Sequence, residues 1–262
     1  MTSRLVVLGS CGAWPEPGRA CSGFLLEHNG FRIVLDLGYG TLPRLLALLD
    51  STVGDGIDAV VITHRHPDHV IDLHGLFRAR WFGRRGAAPI PLYAPSGVPD
   101  LITSLEQADA DAVCEVFDWH ETPCDRTEVG PFHLETRSLP HFVPNVGVRL
   151  SCPDFTIAYS GDTGPDPALA ELGRGVDLFI VDATSRDQRA GSAPPANGPQ
   201  LNLRAAEAGA AAAAAVATRL MLTHFWPGND RERSRADAAA AFGGEILLAD
   251  EGLVVPLGRS AD

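Results

Sequence analysis

Lysine is absent from all 262 residues, so each of the 21 basic side chains is an arginine. That excludes Schiff-base chemistry on a lysine amine. Positive charge is scarce altogether: 33 acidic residues leave a formal charge of −12. A protein that grips many phosphates needs a basic stripe, because phosphate neutralisation supplies most nucleic-acid affinity. The arginines gather only modestly, at Arg78, Arg80, Arg84 and Arg85 and at Arg231, Arg233 and Arg235. The expected partner is therefore a small molecule, not tRNA or another large nucleic acid. Cysteine is sparse too. Cys11, Cys21, Cys114, Cys124 and Cys152 are odd in number and scattered, with no Cys-x-x-Cys pair, which argues against a disulfide framework or a zinc knuckle. No apolar run reaches the roughly 18 residues of a membrane span, and the opening Leu5–Gly9 stretch is too short for a signal h-region. No membrane association is expected, and the expected location is the cytoplasm.

What the chain does have is His64-Arg65-His66-Pro67-Asp68-His69, directly after the apolar run 59–63. Side chains of a strand alternate, so a strand end holds His64 and His66 on the same side. Asp68 and His69 follow as the chain turns into a helix. Three imidazoles and a carboxylate at the mouth of a buried strand offer two nitrogens to one metal and a carboxylate plus an imidazole to another.

Elsewhere the pattern alternates strands and helices. Residues 4–9 read as a strand, and residues 22–26 and 31–37 as a hairpin around Asn29-Gly30. Helical spacing is seen over 41–49 and 69–80, the latter after the strand 59–63. Further strands are expected at 89–94, 114–119, 132–139, 145–152, 155–160, 178–182, 219–223, 245–249 and 252–257. Helices are expected at 98–105, 203–218 and 235–242. Residues 186–199, rich in Gly and Pro, read as a mobile loop at the rim of the site. Alternation of this kind gives an α/β layered fold, and no linker separates residues 1–262 into more than a single domain.

The His-x-His-x-Asp-His run resembles the signature of the metallo-β-lactamase superfamily, whose fold is a four-layer αβ/βα sandwich with a dinuclear metal site. Three later elements extend the resemblance in the order the superfamily uses. The segment 139–147, with His141, Pro144 and Gly147, is similar to the His-x-Val-Pro-x-x-Gly element of the ribonuclease Z branch. Tyr159-Ser160-Gly161-Asp162-Thr163 is similar to the element that supplies a bridging carboxylate, and Leu222-Thr223-His224 to the element with the last ligand. The resemblance implies one ion on His64, His66 and His141 and a second on Asp68, His69 and His224. Asp162 and a hydroxide would bridge them, with Asp68 and Asp162 as catalytic carboxylates. The ions would be two divalent metals, zinc first and manganese or iron as alternatives. Asp36 stands where the family has a strand-end carboxylate that orients a ligand histidine. The implied activity is hydrolysis of a small phosphodiester of cyclic-nucleotide type. Acyl hydrolysis (of a thioester or lactone) and a non-catalytic metal-binding homologue are the alternatives, and a homodimer is a further expectation of the family. The chain departs from ribonuclease Z at its acid-supplying pair. Gln200 stands where that branch has histidine, and Asp182 where it has glutamate; glutamine is no general acid at neutral pH.

Overall fold

The first three strands, β1 (Ser3–Gly9), β2 (Gly23–His28) and β3 (Phe31–Leu37), form an antiparallel meander. Its second turn is Asn29-Gly30, where φ is 52° and 87°; positive values at both residues let a two-residue turn follow the strand twist. The structure, a computed structural model, describes residues 3–106, 110–184 and 199–258. They divide into two compact units, Met1–Pro123 with Asp250–Pro256, and Cys124–Ala249 with Leu257–Asp262.

In the first unit β3 is followed by α1 (Thr41–Leu49), β4 (Ala59–Val61), α2 (Pro67–Gly83), β5 (Ile90–Ala94), α3 (Val98–Glu106), α4 (Ala110–Cys114) and β6 (Phe117–Glu121). β3, β4, β5 and β6 run parallel, as strands joined through helices do. Helices cover the sheet because its apolar strands need it. Val34, Val60 and Leu92 pack with Leu45 of α1 and with Leu73, Leu76 and Phe77 of α2 in one buried cluster.

The second unit repeats the plan. β7 (Thr127–Val129), β8 (Phe132–Leu139), β9 (Asn145–Ser151) and β10 (Thr156–Tyr159) form an antiparallel meander. Then α5 (Ala168–Leu172), β11 (Leu178–Asp182), α6 (Ala205–Ala214), β12 (Arg219–Thr223), α7 (Arg231–Ala239) and β13 (Glu245–Leu248) follow, with β10 to β13 parallel. Its core joins Phe179, Val181, Leu220 and Leu222 to Ala208 and Ala212 of α6 and Ala238 of α7. Small residues are needed there: a Cβ on Gly209 of α6 would come within 2.3 Å of the Ala238 carbonyl. The last strand, β14 (Val254–Leu257), lies beside β1 at the edge of the first sheet.

Two seven-stranded mixed sheets flanked by helices establish the α/β class expected from the alternation. Boundaries differ in places, for local reasons. α2 begins two residues before the expected start because Pro67 takes the first helical position, which a fixed φ suits; Asp68 and His69 therefore stand on the first turn. Cys114 ends α4 instead of opening a strand, and β6 begins at Phe117. α6 is shorter than its alanine run, ending before Val216, whose φ is 55°. α7 starts early because Asp230 accepts the Arg233 amide at 3.0 Å, an N-cap bond. β7 and α5 escaped notice at three and five residues. The loop expected at 186–199 lies, except for Pro199, outside the described residues. Among the described residues no helix is long and apolar enough to cross a membrane.

Candidate metal centre

The carboxyl ends of parallel strands, where the loops of α/β sheets place their ligands, carry most of the residues in question. In the first unit, Asp36 is the penultimate residue of β3 and the chain leads from the end of β4 to Thr63 and His64, and all three are fully buried. Asp36 has φ 57°, a value that few residues other than Gly, Asn, Asp and His adopt. Its Oδ1 accepts the Thr63 amide at 2.7 Å; its Oδ2 accepts the Thr63 hydroxyl at 2.9 Å and Nδ1 of His69 at 2.8 Å. With the Thr63 proton committed to Asp36, its oxygen accepts Nδ1–H of His64 at 3.0 Å. Both histidines thus carry their proton on Nδ1 and a lone pair on Nε2.

Nε2 of His64 lies 3.1 Å from Nδ1 of His66. Two nitrogens bound to one tetrahedral zinc at about 2.0–2.1 Å stand about 3.3 Å apart, so this pair has the spacing of two ligands on one ion. Asp68 is held by the Ala13 amide, 2.6 Å from its Oδ2, and the same oxygen is 3.7 Å from Nε2 of His69. The start of α2 is fixed from below as well. Ser22 donates its amide to the Asp68 carbonyl at 3.1 Å, and Gly38 passes so close that a Cβ would lie 1.9 Å from that oxygen.

In the second unit His141 follows β8, Asp162 follows β10 and His224 follows β12. Nδ1 of His141 donates to the Leu201 carbonyl at 2.9 Å, which leaves the lone pair on Nε2. Oδ2 of Asp162 lies 3.7 Å from Nε2 of His141 and 3.3 Å from Nε2 of His224. One carboxylate oxygen thus stands within ligand-to-ligand distance of two imidazoles. The Asp162 main chain is anchored by Asn145, whose Nδ2 donates to its carbonyl at 2.7 Å. His224, at φ 57°, gives Nδ1–H to Thr184 Oγ1, and that hydroxyl donates to Oδ1 of Asp182. Asp182 Oδ2 accepts Nδ2 of Asn202 at 3.1 Å and the Leu203 amide at 3.2 Å. The His224–Thr184–Asp182 relay repeats, in the second unit, the His64–Thr63–Asp36 relay of the first.

Burial and the neighbouring Asp162 carboxylate push the Asp182 carboxyl up to about 6, against the pull of His224, Thr184 and Asn202. A cation on Asp162 would cancel that repulsion. Carboxylates and imidazoles buried together are unfavourable unless paired or bound to metal, and neutral imidazole with carboxylate oxygen is a donor set for zinc, manganese or iron. Within each unit the expected ligands stand at donor spacing: His64 with His66 and Asp68 with His69 in the first, and Asp162 with His141 and His224 in the second. The residues present therefore fit divalent metal.

Asp36 bonds to Nδ1 of His69, and Asp182 accepts the Thr184 hydroxyl beside His224. Gln200 does not face that network: its amide donates to the Asn202 carbonyl at 2.8 Å and to Glu207 Oε2 at 2.6 Å, at the start of α6. Asn202 makes the contact to Asp182 instead. Thr63, Thr184, Asn145, Asn202 and the Leu201 carbonyl were not foreseen. The two threonines had a signal, since each adjoins a motif residue, but nothing in the sequence says which hydroxyl turns inward. Two further histidines have partners of their own: His74 pairs with Glu106 at 2.7 Å and His28 with Ser3 at 2.7 Å.

Comparison with known proteins bears on the same residues. The profile of the family described as "Beta-lactamase superfamily domain" matches residues 32–225. An uncharacterized protein of Mycobacterium tuberculosis is 32% identical over 95% of this chain and 90% of its own. A ribonuclease Z of Kineococcus radiotolerans is 28% identical over 97% of this chain and 95% of its own. The crystal structure of the metallo-β-lactamase fold protein YhfI from Bacillus subtilis matches with a TM-score of 0.82 at 23% identity, over 98% of this chain and 100% of that one. That likeness shows the fold.

Proposed function

The chain belongs to the β-lactamase superfamily and is a metal-dependent hydrolase, and we propose that the bond it breaks is the phosphodiester of a small, cyclic-nucleotide-like substrate. In this reading His64, His66 and His141 hold one divalent cation, zinc first among the candidates, and Asp68, His69 and His224 hold a second. Asp162 serves both. The observation that carries it is the position of Asp162 Oδ2 beside both His141 and His224, as a carboxylate shared by two ions requires. When bound, such ions make hydroxide available from water at neutral pH and stabilise charge that grows on phosphoryl oxygens.

The chain's own residues prepare that chemistry. Asp36 and Thr63 fix the tautomers of His69 and His64, Asp182 and Thr184 fix His224, and the Leu201 carbonyl fixes His141. Nε2 of each of these four histidines is thereby left as the donor, while His66 turns its Nδ1 toward Nε2 of His64, and such orientation removes reorganisation from the catalytic step. The relative named ribonuclease Z supports a phosphodiester, and the charge of −12 supports a small one.

One observation favours a second reading, hydrolysis of an acyl bond. Gln200, tied to Glu207, supplies no acid for a poor leaving group, and a thiolate or activated alcohol needs none. A cleft of about 360 Å³ lies beside α5 and α6, lined by Pro165, Pro167, Leu169, Leu203 and Ala211 together with Asp166 and Glu207, and its apolar part would suit an acyl group. The test is a metal-replete assay of a phosphodiester, a thioester and a lactone side by side, with Asp162→Ala as control. Phosphodiester turnover that vanishes in the control supports the first reading. Acyl turnover alone replaces it with the second.

A further inference from the structure

Ala13 holds its backbone at φ 65°, a left-handed value that an alanine rarely adopts. It is the middle residue of a three-residue turn, closed by the Trp14 amide on the Gly12 carbonyl at 2.9 Å. Turns of this kind are rare and strained. The turn aims one bond at the candidate metal centre: the Ala13 amide donates to Oδ2 of Asp68 at 2.6 Å. Strain of this sort persists only where the surrounding structure holds it in place.

That holding is visible in the first unit. The turn belongs to the segment 10–22, which joins β1 to β2 and grips Asp68 twice. Ala13 takes its carboxylate, and the Ser22 amide takes its carbonyl at 3.1 Å. The ends of the segment are drawn together. Ser10 and Cys11 donate their amides to the Ala20 carbonyl at 3.0 and 2.9 Å, and a Cβ on Gly9 would lie 1.9 Å from the Cys21 carbonyl. Glu251 clamps that junction. Its Oε1 accepts the Ala20 amide at 3.1 Å and, at a longer 3.5 Å, the Ser10 hydroxyl; its Oε2 accepts Nη1 of Arg19 at 3.1 Å. The Glu251 side chain is only 6% exposed, and a carboxylate so buried is unfavourable unless it is bonded in this way. Its place in the chain is fixed in turn, because Gly252 donates to the Val7 carbonyl at 2.9 Å and Val7 to the Leu253 carbonyl at 3.0 Å.

We infer that Glu251 is a positioning residue for Asp68, acting through the segment 10–22 to keep the strained Ala13 amide on the Asp68 carboxylate. The inference rests on the metal reading above. An amide on Oδ2 fixes which way the carboxylate turns, and an ionised carboxylate keeps lone pairs to spare for a cation. Loss of Glu251 leaves the Ala20 amide without its acceptor and frees the junction that holds the turn.

Two measurements on the full chain test this. The first is titration with zinc against a competing chelator. Glu251→Ala should weaken one of two zinc ions about 10-fold, the low end of what losing the support of a metal ligand costs, and leave the other unchanged. Glu251→Gln, which keeps an oxygen for the Ala20 amide, should restore most of that affinity. Glu27→Ala serves as control: it removes ion pairs to Arg4 and Arg32 at the far end of the same strands and should leave both ions alone. The second measurement needs no metal. Hydrogen exchange of the Ala13 amide should be slow in the native chain and fast in both Glu251→Ala and Asp68→Ala, with the Val7 amide still protected. Zinc affinity untouched in Glu251→Ala, an equal loss in Glu27→Ala, or an Ala13 amide that stays protected without Glu251 would overturn the inference while leaving the metal reading standing. Protection of Ala13 that depends on Glu251 and Asp68 in a native chain that binds no zinc would instead uphold the positioning and remove the metal reading.

Discussion

Oδ2 of Asp162 lies 3.3 Å from Nε2 of His224. The separation is that of two atoms bound to one zinc, and the orientation of each partner has an independent cause. His224 is turned by Thr184 and Asp182, and Asp162 is placed by Gly161 and Asn145. The geometry follows from hydrogen bonds made by Thr184, Asp182 and Asn145, none of them among the expected ligands.

The threonine relays give the first prediction. Thr63→Val and Thr184→Val each keep the shape of the side chain and remove the hydroxyl between imidazole and carboxylate. Each should weaken metal affinity or activity by about 10- to 100-fold, the usual effect of losing a partner of a ligating histidine. Titration with zinc against a competing chelator reads this directly. Unchanged affinity in both variants would mean that the relays do not orient His64 and His224.

Gly38 supplies the second. An alanine Cβ there would meet the Asp68 carbonyl at 1.9 Å, and backbone cannot yield as a flexible side chain does. Gly38→Ala should destabilise the fold by about 1–3 kcal/mol and displace the first turn of α2, lowering metal content along with stability. Denaturant unfolding together with metal analysis checks both; a fully stable, metal-replete variant would contradict the packing described.

Gln200 gives a contrast between stability and turnover. Its amide serves Glu207 and the Asn202 carbonyl, so Gln200→Ala should lower stability by about 1 kcal/mol and leave kcat near the native value. A large fall in kcat at native stability would return Gln200 to the reacting groups.

The legible part of this chain was the part written in local pattern. His64 to His69 read as a ligand run because strand alternation puts His64 and His66 on one side and Asp68 and His69 follow where the chain turns into a helix. The Asn29-Gly30 turn and the apolar strands were equally direct. What could not be read were contacts closed by the fold: Thr63 and Thr184 stand beside motif residues, but whether a hydroxyl faces inward depends on the strands beside it. Gln200 illustrates the converse. Alignment with the ribonuclease Z pattern put it at the site, whereas the capping needs of α6, with Glu207 reaching back to the Arg204 amide at 2.8 Å, draw its side chain away.

Metal removal should register in the fold as well as in activity. A ligand bound only by the native state stabilises it by mass action, and without it Asp162 and Asp182 are left as neighbouring buried carboxylates. Chelation should lower the melting temperature by several degrees, with recovery on adding zinc. An unchanged melting curve would mean that no ion is held there.

The most direct test of the account is the metal content of the purified, zinc-replete protein, measured by elemental analysis beside Asp162→Ala. Two ions per chain in the native protein, falling in the variant while its circular dichroism stays native, is the predicted result. A native chain that binds no zinc, or one whose metal content is untouched by the loss of Asp162, would contradict it.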